Sequence, residues 1–349
     1  MSLRKQILVA AALVLVGVAW GIHRLATSPE WRQFSAAALW GSMARAHPGY
    51  LLLGGALIFA SYLARAYRWK AFLKPMKEAP AGGLFVATLV GFSAVALLGR
   101  AGEVVRPWMI AQRERLPLAS QLGAWTLERV FDTLTLVGLM GASLWLYPIA
   151  GEHAAAMMRH FRTAGLILTT IALLLAAVLA LIHYAPQSTE KAILALARPL
   201  PHRIREAIRN ALEHFAATLA VIRDARSFLE CVSWSLLVWL SVLGTYWCVA
   251  QAFGGPLAVL HISALTLVMM ASVTGSVAQL PAVGGGVQLA TALVLTELFH
   301  IPLAQATAGS LMLWALCFLL VLIPGLPLAA REGLSWSRLR SLLAPECNR

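Results

Sequence analysis

The sequence predicts an all-α fold, a polytopic transmembrane helical bundle with about six full spans plus two re-entrant or broken-helix elements. Three observations predict it. Of 349 residues, 60% are hydrophobic and only 12% charged, about half the charged fraction of an ordinary soluble domain. Several apolar runs reach the roughly 20 residues that a helix needs to cross a bilayer. In two places the apolar pattern is instead short and broken by glycine or proline, as in helices that turn back at membrane depth.

Along the chain, full spans are expected near 6–26, 50–69, 119–147, 162–183, 228–250 and 303–328. The first follows Arg4 and Lys5 without a convincing cleavage pattern and reads as a retained signal-anchor helix. The run Leu84 to Leu98 is only 15 residues long and leads into Gly99, Arg100, Ala101, Gly102 and Glu103. The runs 261–280 and 284–300 are separated by little more than Pro281, Gly284, Gly285 and Gly286. Most of the 28 lysines and arginines fall in 1–5, 65–115, 184–227 and 331–349. These four stretches share one side of the membrane if 84–98 returns to the side it came from and the second pair also returns, an arrangement the positive-inside rule favours. Two full spans for the second pair would keep the same parity. The expected location is the bacterial inner membrane, with both termini cytoplasmic.

A single transmembrane domain is expected over 1–349. Within it, 27–48 mixes Trp31, Phe34 and Trp40 with Arg32 and Arg45, which suits a periplasmic interfacial helix. Segment 184–227 carries apolar residues at helical intervals with arginines between them, and reads as a basic cytoplasmic amphipathic element. The formal charge of +13 sits in connections rather than on a folded basic face, which excludes nucleic acid as a partner. Four scattered cysteines suggest neither a disulfide framework nor zinc. No metal-ligand spacing, nucleophile elbow or phosphate loop is present, so no cofactor, metal site or enzyme constellation is expected.

The informative residues carry charge in or beside apolar runs. Glu128, Arg129 and Asp132 lie in the first half of an expected span; Glu128 and Asp132 share a helix face, and Arg129 stands close enough to pair with Asp132. A charge at bilayer depth costs a few kcal/mol on insertion scales, so such groups usually face a bundle interior and mark a pathway. Arg100, Glu103 and Arg106, spaced by three, line one side of a helical turn, and Gly102 allows close approach. Guanidinium forks suit phosphate or carboxylate, and Arg100 or Arg106 would neutralise Glu128 and Asp132. The same residues would equally serve as an architectural ion-pair network. The third element is the turn of Pro281, Gly284, Gly285, Gly286 and Gln288, where freed backbone would line a polar cavity or form a tight turn between ordinary helices. Arg65, Tyr67, Arg68, Trp69 and Lys70 read as a snorkelling anchor at the cytoplasmic end of the second span.

Taken in order, Arg65, Arg68 and Trp69, then Gly99, Arg100, Gly102, Glu103 and Arg106, then Glu128, Arg129 and Asp132, then Leu280, Pro281 and the glycine-rich turn make the chain resemble the lysylphosphatidylglycerol synthase transmembrane, or flippase-like, family over nearly its whole length. The resemblance implies a lipid flippase-like protein whose partners are membrane phospholipids or lipid-linked headgroups. A headgroup would enter a polar cavity between the re-entrant elements, with Arg100 and Arg106 on its phosphate. Glu103, Glu128 and Asp132 would hold those arginines or meet a cationic headgroup. The alternative is a non-transporting accessory subunit binding lipid or polyprenyl-linked intermediates for an envelope-biosynthesis complex; such a complex, or a homo-oligomer, is the protein company expected. The aminoacyl-transferase domain of bifunctional relatives is expected to be absent. Leu98 stands where the family often has proline, and Gln288 and Ala290 stand near the position of the usual glutamate, so no headgroup preference carries over.

Overall fold

The computed structural model describes residues 35–146, 186–196, 225–280 and 282–333, with isolated positions at 23, 166–181 and 205–209. Apart from those isolated positions, the spans expected at 6–26 and 162–183 and most of the basic 184–227 segment lie outside the described residues, as do 27–34 of the expected interfacial segment and Pro281. Those described are almost entirely helical, which is what an oily environment demands: with no water to satisfy backbone N–H and C=O groups, each segment must satisfy its own.

Helix α1 (Ala36–Ala44) is capped by Ser35, whose hydroxyl accepts from the Ala38 N–H at 3.0 Å; it has no buried residue. Helix α2 is Pro48–Leu73, α3 is Ala81–Leu98, and a 3₁₀ turn over Gly99–Val104 leads into α4 (Val105–Glu114). Then come α5 (Leu118–Leu146), α6 (Pro186–Leu196), α7 (Ala225–Phe253) and, after a one-turn helix at Gly255–Ala258, α8 (Ile262–Gly275). Two-residue strands β1 (Gln279–Leu280) and β2 (Gly284–Gly285) precede α9 (Gly286–Glu297). Helix α10 (Leu303–Trp314) continues through a π turn at Ala315–Leu319 towards α11 (Leu322–Arg331). By length and composition four stretches could cross a membrane: Pro48–Leu73, Ala81–Glu114, Arg226–Phe253 and Leu303–Arg331. Helix α5 has the length too, 29 residues or about 44 Å at 1.5 Å per residue, and carries Glu128, Arg129 and Asp132.

The described residues group into two compact units. One lies within Met1–Ile58, Ser93–Gly102 and Val242–Ile323, the other within Phe59–Phe92, Glu103–Ser241 and Pro324–Arg349.

In the second unit, α4 runs back along α3. A side chain added at Gly91 would meet Arg106, and one at Gly83 would meet Arg113; at the open end Lys77 pairs with Glu114 at 2.9 Å. Although Ala81–Glu114 is long enough to span as one rod, the chain doubles back, as the short run and its glycines predicted. Ring contacts join α2, α5 and α7: Phe131 lies between Phe72 and the exposed Phe228, with ring centroids 5.9 and 5.8 Å apart, and Tyr67 stacks on Trp234.

In the first unit, α8 and α9 form the second hairpin. Strand register pairs Gln279 with Gly285 and Leu280 with Gly284. Gly275 and Gly286 cross so closely that a side chain on either would strike the other's backbone carbonyl, and Ser272 and Thr291 hydroxyls lie 2.5 Å apart beside them. With 14 and 12 residues, the arms are about 21 and 18 Å long, both short of a roughly 30 Å hydrocarbon core.

Candidate functional site

Three helices of the second unit each contribute side chains to one buried ionised cluster. From α5, Glu128 and Asp132 project from one face because they are four residues apart. From α2, Arg68 answers both: Nη2 donates to Glu128 Oε1 at 2.6 Å, and Nη1 donates to Asp132 Oδ1 at 2.7 Å and to Ser235 Oγ at 2.9 Å. Arg68 and Glu128 are fully buried. From α4, Arg106 donates to both oxygens of Glu128 and lies over the Trp69 ring, 4.3 Å from its centroid. Trp69 is itself fixed by donating to Gln121 at 3.1 Å.

Two further guanidiniums are held more loosely. Arg65 approaches Glu128 at 3.7 Å and Asp132 at 3.5 Å, sandwiched near the faces of Phe92 and Trp239. Arg129 reaches Glu128 and Asp132 at 3.3 Å each. Trp239, from α7, donates to Asp132 Oδ1 at 3.0 Å. Each carboxylate thus has several cationic neighbours, and each cation has an aromatic or anionic wall. That is how a low-dielectric interior tolerates ions that would be very costly singly.

Glu128, Arg129 and Asp132 are therefore brought together as their spacing suggested, and Arg106 joins them. Glu103, half-buried at the end of the 3₁₀ turn, acts electrostatically on Arg129. Of the two arginines expected to neutralise the acids, Arg106 does so. Arg100, in the other unit and exposed, donates instead to the Ser276 carbonyl at 3.1 Å and hydroxyl at 2.8 Å. Gly102 packs against the backbone of Ala94 and Val95, where a side chain has no room. Ala282 adds a third tie to this turn, its N–H donating to the Ala96 carbonyl at 3.1 Å. The glycine-rich turn is braced internally: Gln288 Oε1 accepts from the Gly285 N–H at 2.7 Å, and its Nε2 donates to the Val283 carbonyl at 3.1 Å. Gly284 and Gly285 hold φ of 82° and 89°, values open to glycine at little cost.

The snorkelling reading of Arg65 and Arg68 is overturned. A basic residue in the last turns of a span usually reaches for the headgroups, but these two turn inward because Glu128 and Asp132, 60 or more residues on in sequence, offer them partners. Their spacing of three, which stacks them on one face of α2, was the available signal. Among the described residues no group of His, Cys, Asp and Glu could hold a metal ion.

Long apolar helices, two doubled-back hairpins and an ion cluster inside the helices define a multi-pass α-helical membrane protein. The family model for the lysylphosphatidylglycerol synthase TM region matches residues 7–325, and the chain belongs to that family. It is also similar to a glycosyltransferase, AglD, of Haloferax volcanii, at 23% identity over 142 residues; the match covers 40% of this chain and 22% of that protein.

Proposed function

We propose that this chain is a lipid flippase-like protein that binds a phospholipid or lipid-linked headgroup at the Arg65, Arg68, Arg106, Arg129, Glu128 and Asp132 cluster and moves it across the membrane. The carrying observation is the burial of three guanidiniums and two carboxylates among apolar helices, with the half-exposed Arg129 beside them, since ionisable groups at membrane depth characteristically serve a polar passenger. Membership of a family named for lysylphosphatidylglycerol synthase supports a lipid rather than a small soluble substrate. The doubled-back hairpins support a transporter-like architecture. In this reading the chain is not an enzyme and sits in the bacterial inner membrane with cytoplasmic termini.

The test is reconstitution of the purified chain in vesicles with a fluorescent phospholipid in both leaflets, reading the fraction bleached by an impermeant reductant. Protein-dependent bleaching beyond the outer-leaflet half is expected; bleaching no faster than in empty vesicles rejects the reading. The likeness to a glycosyltransferase favours one second reading, an accessory subunit presenting a lipid-linked intermediate to an envelope-biosynthesis complex. A stoichiometric partner on purification, with no translocation by the isolated chain, would select it.

A further inference from the structure

The arginines of the cluster divide by how they are held. Arg68 and Arg106 each engage both amino groups: hydrogen bonds tie them to Glu128, Asp132 and Ser235, although Arg68 Nε is left without a partner. Arg65 and Arg129 each engage only one. Arg65 is more than nine-tenths buried, yet both of its ion pairs run through Nη1, at 3.5 and 3.7 Å, and its Nε has no hydrogen-bond partner. Arg129 reaches both carboxylates through Nη2 alone, at 3.3 Å, and its Nε is likewise buried without a partner. The two converge on one atom, Asp132 Oδ2, which itself accepts no hydrogen bond. Buried guanidinium donors left unused are rare, because each costs its lost hydration.

Charge points the same way. Four guanidiniums face Glu128 and Asp132, with Glu103 acting on Arg129, which leaves one positive charge over. An unmatched charge in a low-dielectric interior is costly until a counter-charge arrives. Asp132 does not repel an incoming anion strongly, because its other oxygen is held by Arg68 and Trp239. Arg129 is also the accessible member, its side chain 36% exposed. Leu122, seven residues earlier on the same face of α5 and so about 10 Å along the helix, is exposed, offering apolar surface two turns away.

We propose that Arg65 and Arg129 form a subsite for a lipid phosphodiester, whose single negative charge closes the cluster's balance and whose oxygens replace the loose contacts to Asp132 Oδ2. Arg68 and Arg106 are the frame that holds the carboxylates, not the contacts to phosphate. The inference rests on the lipid-binding reading above and makes it specific: the site prefers a net-anionic headgroup to a cationic one.

The test is binding to the purified full chain in detergent, by native mass spectrometry, of short-chain phosphatidylglycerol, short-chain diacylglycerol without phosphate, and inorganic phosphate. Phosphatidylglycerol is expected to bind and diacylglycerol not. Arg129→Gln and Arg65→Lys are each expected to weaken phosphatidylglycerol binding tenfold or more. Arg129 is partly exposed, so Arg129→Gln decides the matter alone if Arg65→Lys does not fold. Competition by millimolar inorganic phosphate supports the subsite as one for the phosphate group itself, and its failure to compete supports a requirement for the lipid. Equal binding by wild type and Arg129→Gln, or equal binding of diacylglycerol, overturns the proposal. If the variants bind normally while the wild type still translocates lipid, only the subsite is wrong. If the wild type binds phosphatidylglycerol through these arginines but translocates nothing, the subsite stands and the flippase reading falls.

Discussion

Arg68 spans Glu128 and Asp132 with its two amino groups, at 2.6 and 2.7 Å, because one helical turn of α5 separates the carboxylates by about the width of a guanidinium fork. Arg68→Ala strips both acids of their shortest partner in a buried setting. The expected loss is about 3–5 kcal/mol, the usual cost of leaving a buried ion unmatched, read as a fall in unfolding temperature in detergent. A loss below about 1 kcal/mol, as for a surface pair, would show that the cluster is hydrated.

The crossing of α8 and α9 depends on two glycines. In Gly275→Ala or Gly286→Ala the new methyl group meets the opposing backbone carbonyl, so the arms must separate. Each substitution is expected to destabilise the hairpin by about 1–3 kcal/mol, in the manner of overpacking. Hydrogen exchange of 262–297 measures it, and unchanged protection would contradict the close crossing.

Arg100 ties its turn to Ser276 with two hydrogen bonds, and Ala282 adds a backbone bond to Ala96. Arg100→Ala is expected to cost only about 1 kcal/mol overall, while amide exchange over 276–285 accelerates selectively. A uniform change along the chain would argue against a local tie.

Doubling back places the two ends of each hairpin on one side of the membrane. In a cysteine-free background, single cysteines at Glu78 and Arg115 are expected to react with an impermeant thiol reagent from the same face. Those at His261 and His300 should also share a face. Opposite-side labelling within either pair would mean that the hairpin crosses.

What the sequence could reveal follows from whether the signal was local. Glu128 and Asp132 stood out because a charge in an apolar run has a cost readable residue by residue. The two hairpins stood out because glycine and proline interrupt runs too short to span. Arg65 and Arg68 were hidden by a sufficient local explanation, snorkelling, and only their pairing with residues sixty or more positions away shows otherwise. Arg100 and Arg106 flank Glu103 at the same spacing and look equivalent in one dimension. They part because Gly99, at φ 62°, starts a 3₁₀ turn that leaves Arg100 outside, while α4 carries Arg106 to Glu128. The split of the four cluster arginines into tightly and loosely held was illegible for the same reason: it lies in differences of about 1 Å in the contacts around two carboxylates.

The most direct test of the central claim replaces Arg65, Arg68, Arg106, Arg129 and Glu128 by methionine and Asp132 by leucine together, then measures lipid translocation in reconstituted vesicles. Exchanging a whole buried ion network for apolar side chains is often neutral or stabilising, so the fold is expected to survive, with an unfolding temperature close to that of the wild type. If the ions are there for a passenger, this folded protein moves lipid no faster than empty vesicles do. Translocation at the wild-type rate would contradict the account, because the cluster would then be architecture alone.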